Sequence, residues 1–542
     1  MGALGLALIL CTTAAIQEPR RIEFVADGVP LAVRSVGSAW ERGPGFLRGQ
    51  GVGNLLRAGR DAGTGDLSIE AEISLEELAG TAASLVLGGH SHFGFDGRGR
   101  GLFVEGPLFG GAARALDPGG VELRPGIPFA VLVERRGTSL RLSLDGALVH
   151  EQVLPAGAAL GSIALRPWRA AMRVRRFAAA GDLVEAPAPV ADDALWQSGQ
   201  GGYHTYRIPA LVATPAGTLL AFCEGRRNGA GDSGDIDLLL RRSTDGGATW
   251  SAPQVVWDDG ANTCGNPCPV VDAASGTVVL LSTWNDGRDH ERQIIAGESR
   301  DTRRVFVLRS SNEGRSWSPP QEITADAKAE GWTWYATGPG NGIQLERGAH
   351  AGRLVVPCDH IEAGTGRYRS HCLLSDDGGR SWRRGAATPG DAVNECAVVE
   401  LEDGSLLLNM RNYDRDQRTR QVARSVDGGA SWRDQRHDPV LIEPICQASL
   451  IRARTGPDRP EVLLFANPAS REGRVRMTVR LSADGGATWP SEVVLHAGPS
   501  AYSSLAAHPT AGLFCLFEGG EASPYEALVL RPVRLGAEPA RR

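Results

Sequence analysis

Ser243-Thr-Asp245-Gly-Gly247-Ala-Thr-Trp250 is an octet that returns four more times along the second two-thirds of the chain. The other copies are Ser310-Ser-Asn312-Glu-Gly314-Arg-Ser-Trp317, Ser375-Asp-Asp377-Gly-Gly379-Arg-Ser-Trp382, Ser425-Val-Asp427-Gly-Gly429-Ala-Ser-Trp432 and Ser482-Ala-Asp484-Gly-Gly486-Ala-Thr-Trp489. Successive copies begin 50 to 67 residues apart, the length of one four-stranded antiparallel unit with its loops. Each follows an alternating run such as Asp237-Leu-Leu-Leu-Arg-Arg242 or Arg474-Val-Arg-Met-Thr-Val-Arg-Leu481, so each falls where a hairpin must turn. Asp or Asn can hold that turn through side-chain to backbone hydrogen bonds, Gly supplies a positive φ, and Trp fills the gap against neighbouring strands. One carboxylate per repeat at the same turn cannot converge on a single site. The boxes therefore read as structural, not as metal ligands or catalytic acids.

At 542 residues the chain is too long for one ordinary core, and two or three domains are expected. Its formal charge of −6, from 57 basic and 63 acidic residues, gives no reason to expect nucleic acid or an anionic membrane as partner. Seventy glycines and few helical periodicities favour many tight turns, hence an all-β protein. Lys328 is the only lysine; a bias this general assigns no role to any one arginine. Residues 3–16 are uncharged and apolar, with Ala14-Ala15 offering small residues for cleavage. They read as a signal peptide over 1–16, too short for a comfortable membrane span, and imply a secreted or periplasmic protein. Of nine cysteines, eight remain without Cys11. The close pair Cys264-Gly-Asn-Pro-Cys268 fits a small disulfide loop or two free thiols, since zinc would need further ligands nearby.

Residues 20–183 lack the box and alternate apolar and polar side chains over short stretches, as in Leu67-Ser-Ile-Glu-Ala-Glu-Ile-Ser74. This predicts a β-sandwich, whose order of segments resembles concanavalin-like or laminin-G-like jelly rolls. A Pro/Ala-rich linker follows over 184–194. Residues 195–534 then provide for a six-bladed β-propeller, one blade without a box, with Ala527-Leu-Val-Leu-Arg-Pro-Val533 closing the ring against the first segment.

Within that region, Tyr206-Arg207-Ile208-Pro209, Asn266-Pro-Cys-Pro269, Ala336-Thr-Gly-Pro-Gly340, Asn394-Glu-Cys396, Leu408-Asn-Met-Arg411 and Ala501-Tyr-Ser-Ser504 follow one another among the boxes. Over residues 200–533 the chain resembles the exo-α-sialidases (neuraminidases) of bacteria and animals. The resemblance implies three arginines, Arg207, Arg411 and Arg474, around the substrate's carboxylate, which planar guanidinium groups can hold bidentately without ever deprotonating. It implies Tyr502 as nucleophile and Glu395 as the base that takes its proton. A neutral tyrosine escapes the repulsion that a carboxylate nucleophile would suffer from an anionic sugar. In the Gly-rich loop Gly229-Ala-Gly-Asp232-Ser-Gly-Asp235-Ile-Asp237, family spacing selects Asp232 as general acid/base. Asn266 and Gln447 resemble contacts for the N-acetyl and glycerol arms, and Glu224 with Arg226 a pair beside the carboxylate site. No metal or other cofactor is implied. The partners expected are sialylated glycans or glycoproteins, met by a monomer. A propeller that binds acidic glycans without cleaving them, and a trans-sialidase, are the alternatives.

Overall fold

A computed structural model describes residues 21–36, 39–51, 54–96, 99, 101–186, 193–454 and 460–535. The expected signal peptide at 1–16 and most of the expected linker, residues 187–192, lie outside the described residues. The chain divides into two compact units, Met1–Ala186 and Pro187–Arg542, and both are built almost wholly of β-strands.

In the first unit, the 21-residue strand Leu55–Leu75 is the spine. It pairs antiparallel with Phe129–Arg136, Gly161–Arg166 and Met172–Glu185 along different parts of its length. The alternation read from the sequence is real here. Leu67, Ile69, Ala71 and Ile73 are buried while the residues between them reach the surface in part, as period-two side chains must. The core they enter is aromatic, with Phe95 at 5.4 Å from Phe93 and 5.1 Å from Phe129 between ring centroids.

The described residues of the second unit form a succession of six four-strand antiparallel meanders. The first is Thr205–Ala213, Leu219–Arg226, Ile236–Ser243 and Gln254–Trp257. The next three begin at Thr263–Asp272, Trp332–Thr337 and Val393–Glu400. The fifth and sixth share the 18-residue strand Ser491–His508, which pairs with Val475–Ser482 through its first half and with Gly512–Gly519 through its second. The fourth strand of the sixth meander is Ala194–Gln197, from the opposite end of the unit, paired with Ala527–Pro532.

All five boxes join the third strand of a meander to the fourth, and their geometry repeats. In the box at 375, Ser375 Oγ donates to Asp377 Oδ1 at 2.8 Å, and the Gly379 amide donates to Ser375 Oγ at 2.9 Å. The Ser381 amide donates to Asp377 Oδ1 at 3.0 Å, and Gly379 takes φ 83°, a region that only glycine enters without strain. Each box also leans on the preceding meander. Arg309, in the second, donates to the Gly379 carbonyl at 3.2 Å, and Arg353, in the third, to the Gly428 carbonyl at 3.1 Å. The first box reaches the sixth meander, where a Cβ at Gly247 would meet the Phe514 ring at 3.4 Å.

At the other end of these sheets the first strands are irregular. The pairing slips between Arg207 and Ala210, Gly265 and Cys268, Trp332 and Tyr335, Val393 and Cys396, and Ser500 and Ser503. Such bulges bend a strand and re-aim one side chain. Five of them stand at equivalent places in five meanders, and together they surround one cleft.

Candidate active site

The bulges deliver Arg207, Asn266, Trp334, Asn394, Glu395 and Tyr502 to the lining of that cleft. Ends of second strands add Glu224, Arg226, Asp359 and Arg411; connections between second and third strands add Asp232, Glu291 and Arg474. Seven of the eight expected site residues thus meet. Gln447 does not line the cleft. Its Nε2 donates to the carbonyls of Pro339 (3.0 Å) and Ser503 (2.9 Å), and its Oε1 accepts the Ser503 amide (2.9 Å). Both ends of the carboxamide are committed to backbone, which leaves nothing for a ligand.

At the centre, the Tyr502 hydroxyl donates to Glu395 Oε1 in a short contact. Arg411 Nη1 joins both partners, at 2.6 Å from Glu395 Oε2 and 3.0 Å from the Tyr502 oxygen. The guanidinium carbons of Arg207 and Arg474 lie 5.1 and 5.6 Å from the centre of the Tyr502 ring. Burial pushes the Tyr502 phenol well above its ordinary value, and Glu395 adds to this, while Arg411, Arg474 and Arg207 pull the other way. The phenol is therefore neutral until something removes its proton, and the group in position to do so is Glu395.

Glu518, fully buried, ties this centre together. It takes Arg207 Nε and Nη2 bidentately at 2.9 and 3.2 Å and accepts the amides of Ile208 (2.9 Å) and Tyr502 (3.1 Å). Arg474 is placed by donating Nη1 to the Tyr525 hydroxyl at 2.8 Å and Nη2 to the Ile445 carbonyl at 3.2 Å. Neither Glu518 nor Tyr525 was singled out from the sequence. The one available signal was a glutamate inside the apolar run Leu513-Phe-Cys-Leu-Phe-Glu518.

Asp232 sits on the Gly-rich loop with its side chain 64 % exposed, 2.7 Å from Arg226 Nη1 and 3.3 Å from Arg207 Nη1. Desolvation raises its carboxyl, but Arg226 and Arg207 outweigh this and its pKa falls below the usual aspartate value. Arg226 is in turn held by Glu224 at 2.6 Å, and Glu224 accepts the Asn266 amide at 2.8 Å. Asn266 takes φ 55°, uncommon for a residue with a Cβ. Its Oδ1 accepts from Thr283 at 3.0 Å and from Arg303 Nη2. Arg303, another residue the sequence reading missed, is buried beneath Trp334 at 4.0 Å and spends its remaining donors on Asn285, Thr283 and the Tyr335 carbonyl. Burial brings it down to about 10, so it stays a cation at neutral pH.

Among the described residues no three His, Cys, Asp or Glu side chains are grouped to hold a metal ion. Cys264, Cys268 and the other six described cysteines are buried free thiols. No helix among the described residues is long and apolar enough to cross a membrane.

Residues 217–515 match the family model of the BNR repeat-like domain. The chain is 38% identical over 387 residues to a sialidase of Micromonospora viridifaciens, an alignment covering 67% of this chain and 58% of that protein. It is 32% identical over 311 residues to a sialidase of Bacteroides fragilis, covering 54% of this chain and 56% of the relative. With human sialidase-3 the identity is 31% over 390 residues, or 60% of this chain and 88% of the other. The chain therefore spans less than two-thirds of the length of the two bacterial relatives. Among solved structures, a Hadza microbial sialidase superposes with a TM-score of 0.57 at 24% identity, over 89% of this chain and 96% of that one.

Proposed function

The chain belongs to the sialidase family with BNR repeats, and from that membership and the geometry of its cleft we propose that it is a retaining exo-α-sialidase. It would release terminal sialic acids from sialylated glycans or glycoproteins. The observation that carries the reading is the Tyr502 hydroxyl bonded to Glu395 with Arg411 joining both. That is an activated nucleophile inside a ring of guanidinium groups, suited to an anomeric carbon that bears its own carboxylate.

In this mechanism the substrate carboxylate enters between Arg207, Arg411 and Arg474. It competes with Asp232 for Arg207, and Asp232, losing part of the attraction that keeps it ionised, picks up a proton. Tyr502 passes its proton to Glu395 as its oxygen bonds to the anomeric carbon, while Asp232 protonates the departing oxygen. Water, deprotonated by Asp232, then attacks the same carbon; the tyrosyl bond breaks and the phenol recovers its proton from Glu395. Two inversions give net retention. The intact set Asp232, Glu395 and Tyr502 favours hydrolysis over mere binding.

The same proposal reads the six meanders as blades of a β-propeller. It is supported by the Ala194–Gln197 strand completing the last sheet and by each box leaning on the preceding meander. It reads the first unit as a jelly-roll sandwich, and the apolar residues 3–16 as favouring export. Release of the fluorophore from a fluorogenic α-sialoside by the purified chain tests the activity; no release above background would end the proposal.

A further inference from the structure

Asp232 is held by ion pairs with Arg226 and Arg207, and both weaken at the moment it has to act. In the mechanism above, the substrate carboxylate draws on Arg207, and Asp232 is uncharged when it hands its proton to the departing oxygen. A neutral carboxyl keeps little of a carboxylate's attraction to a guanidinium. The loop that carries it, residues 227–235, joins the strands Leu219–Arg226 and Ile236–Ser243. Gly234 needs its φ of 127°, but Gly229 and Gly231 lie outside the left-handed region and a Cβ on either would meet nothing within 4 Å. Those two glycines add backbone freedom where no close packing asks for it. An acid 64 % exposed on such a loop must be held by something other than its own charge.

That hold is built into the residues on either side of it. Before Asp232, Arg226 Nη1 also donates to the carbonyls of Ala230 (2.6 Å) and Gly231 (3.0 Å), bonds that do not depend on the aspartate's charge. Directly after it, Ser233 Oγ and His290 Nδ1 share a hydrogen bond at 2.7 Å. His290 opens the helix Glu291–Ala296, which buries Ile294. Next, one hydroxyl grips both polar groups of the Gly234 backbone: Thr263 Oγ1 donates to its carbonyl at 3.0 Å and accepts its amide at 3.1 Å. Thr263 is 1 % exposed and begins the strand Thr263–Asp272, so this grip is anchored in the sheet. Gly287 packs against the same point, where a Cβ would stand 3.0 Å from the Gly234 carbonyl carbon.

We propose that Thr263, seconded by Ser233 and His290, is a positioning residue for the general acid: it fixes the Gly-rich loop so that Asp232 stays over the departing oxygen once its charge is gone. The inference rests on the sialidase reading above. A misplaced acid is felt most by leaving groups that need a proton. The test therefore measures kcat/KM, which covers departure of the aglycone, for aryl α-sialosides running from nitrophenyl, a good leaving group, to unsubstituted phenyl. Asp232→Ala sets the benchmark, a loss that grows as the phenol becomes less acidic. Thr263→Val keeps the branched shape and removes the hydroxyl. It should stay within about threefold of wild type on the nitrophenyl substrate and lose about tenfold or more on the phenyl one, the order of two lost hydrogen bonds. Thr263→Ser, which restores the hydroxyl, should recover most of that loss. Ser233→Ala should show the same tilt more weakly, and reads the loop if the valine variant does not fold. Equal losses on both substrates, as a general loss of stability would give, or no loss in either variant, would overturn the inference and leave the sialidase reading standing. No tilt in Asp232→Ala would remove its role as acid and the inference with it, and no hydrolysis by wild type would overturn the sialidase reading as well.

Discussion

Replacing Arg411 by alanine removes a cation that touches both members of the proposed nucleophile and base pair. Its Nη1 lies 2.6 Å from Glu395 and 3.0 Å from Tyr502, and Glu395 is only 8% exposed. Without Arg411, Glu395 keeps among the described residues only the Tyr502 hydroxyl as hydrogen-bond partner, and the substrate carboxylate loses a clamp. Breaking one side of a buried charge pair costs about 2–5 kcal/mol, which at about 1.4 kcal/mol per decade is a loss of roughly 30-fold to several thousandfold in kcat/KM. The loss should fall on kcat as well as on KM. Arg411 also restrains the rise of the Tyr502 pKa, so its removal makes the phenol harder to deprotonate during attack. Steady-state kinetics on a fluorogenic sialoside, with circular dichroism to establish folding, measure both parameters. A folded Arg411→Ala variant within about threefold of wild-type kcat/KM would refute the clamp and its link to the nucleophile.

Tyr502→Phe keeps the ring between Arg207 and Arg474 and removes only the attacking oxygen, so the fold should survive while turnover falls by orders of magnitude; NMR of the wild-type reaction should detect the α-anomer of the free sugar first, and a β-anomer appearing first would exclude double displacement. Although desolvation raises the Asp377 carboxyl, hydrogen bonds from Ser381 and Ser375 hold it at about 2. Its stabilisation is therefore complete above the unfolded value of about 4 and lost as pH falls through about 2. Asp377→Asn should lower Tm at pH 7, leave KM unchanged, and flatten the fall of Tm between about pH 4 and 2; an unaltered acid slope would show that this box carboxylate contributes nothing. A chain shortened to residues 193–542 should fold and cleave small soluble sialosides, since that unit has its own core; an insoluble or inactive product would mean that the first unit is required.

What could be read from the sequence was whatever is local. A box is complete within eight residues, because Ser, Asp and Gly satisfy one another's hydrogen bonds inside a single turn, so its letters determine its geometry. The absence of a sixth box also has a local cause. In the last meander the fourth strand comes from Ala194–Gln197, and no hairpin exists there to be turned. Arg207, Arg411, Tyr502 and Glu395 stood out through short motifs. Arg303, Glu518, Tyr525 and Asp359 did not, because each gains its meaning only from residues far away in the chain. Glu518 meets Arg207 across 311 positions. Gln447 failed for the complementary reason: a motif gives a place along the chain, whereas the neighbouring strand, here Ser503, decides whether the side chain is free. Asp359 had a faint signal, a carboxylate closing the buried run Leu354-Val-Val-Pro-Cys-Asp359, of the kind that is improbable without a partner or a task.

The two ends of each meander divide the physical work. At the box end, polar groups are paired within the turn, the positive φ angles fall mostly on glycine, and the neighbouring meander is gripped through backbone carbonyls. At the cleft end, Ile208 and Asn266 carry positive φ angles despite their side chains. There too Asp359, Asn394 and Arg411 Nε have buried atoms without hydrogen-bond partners, and cations stand close together around Tyr502. Backbone strain and orphaned polar groups are sustained only where the surrounding structure over-determines them, and the boxes supply that excess on the far side of the same sheets. Substitutions at the boxes should therefore act on stability and leave chemistry alone, whereas those at the bulges act chiefly on chemistry. The bulge is the device that makes this division possible: one extra residue breaks the alternation of a regular strand at a single point and turns a side chain such as Tyr502 or Glu395 toward the cleft, without disturbing the pairing that runs on to the box.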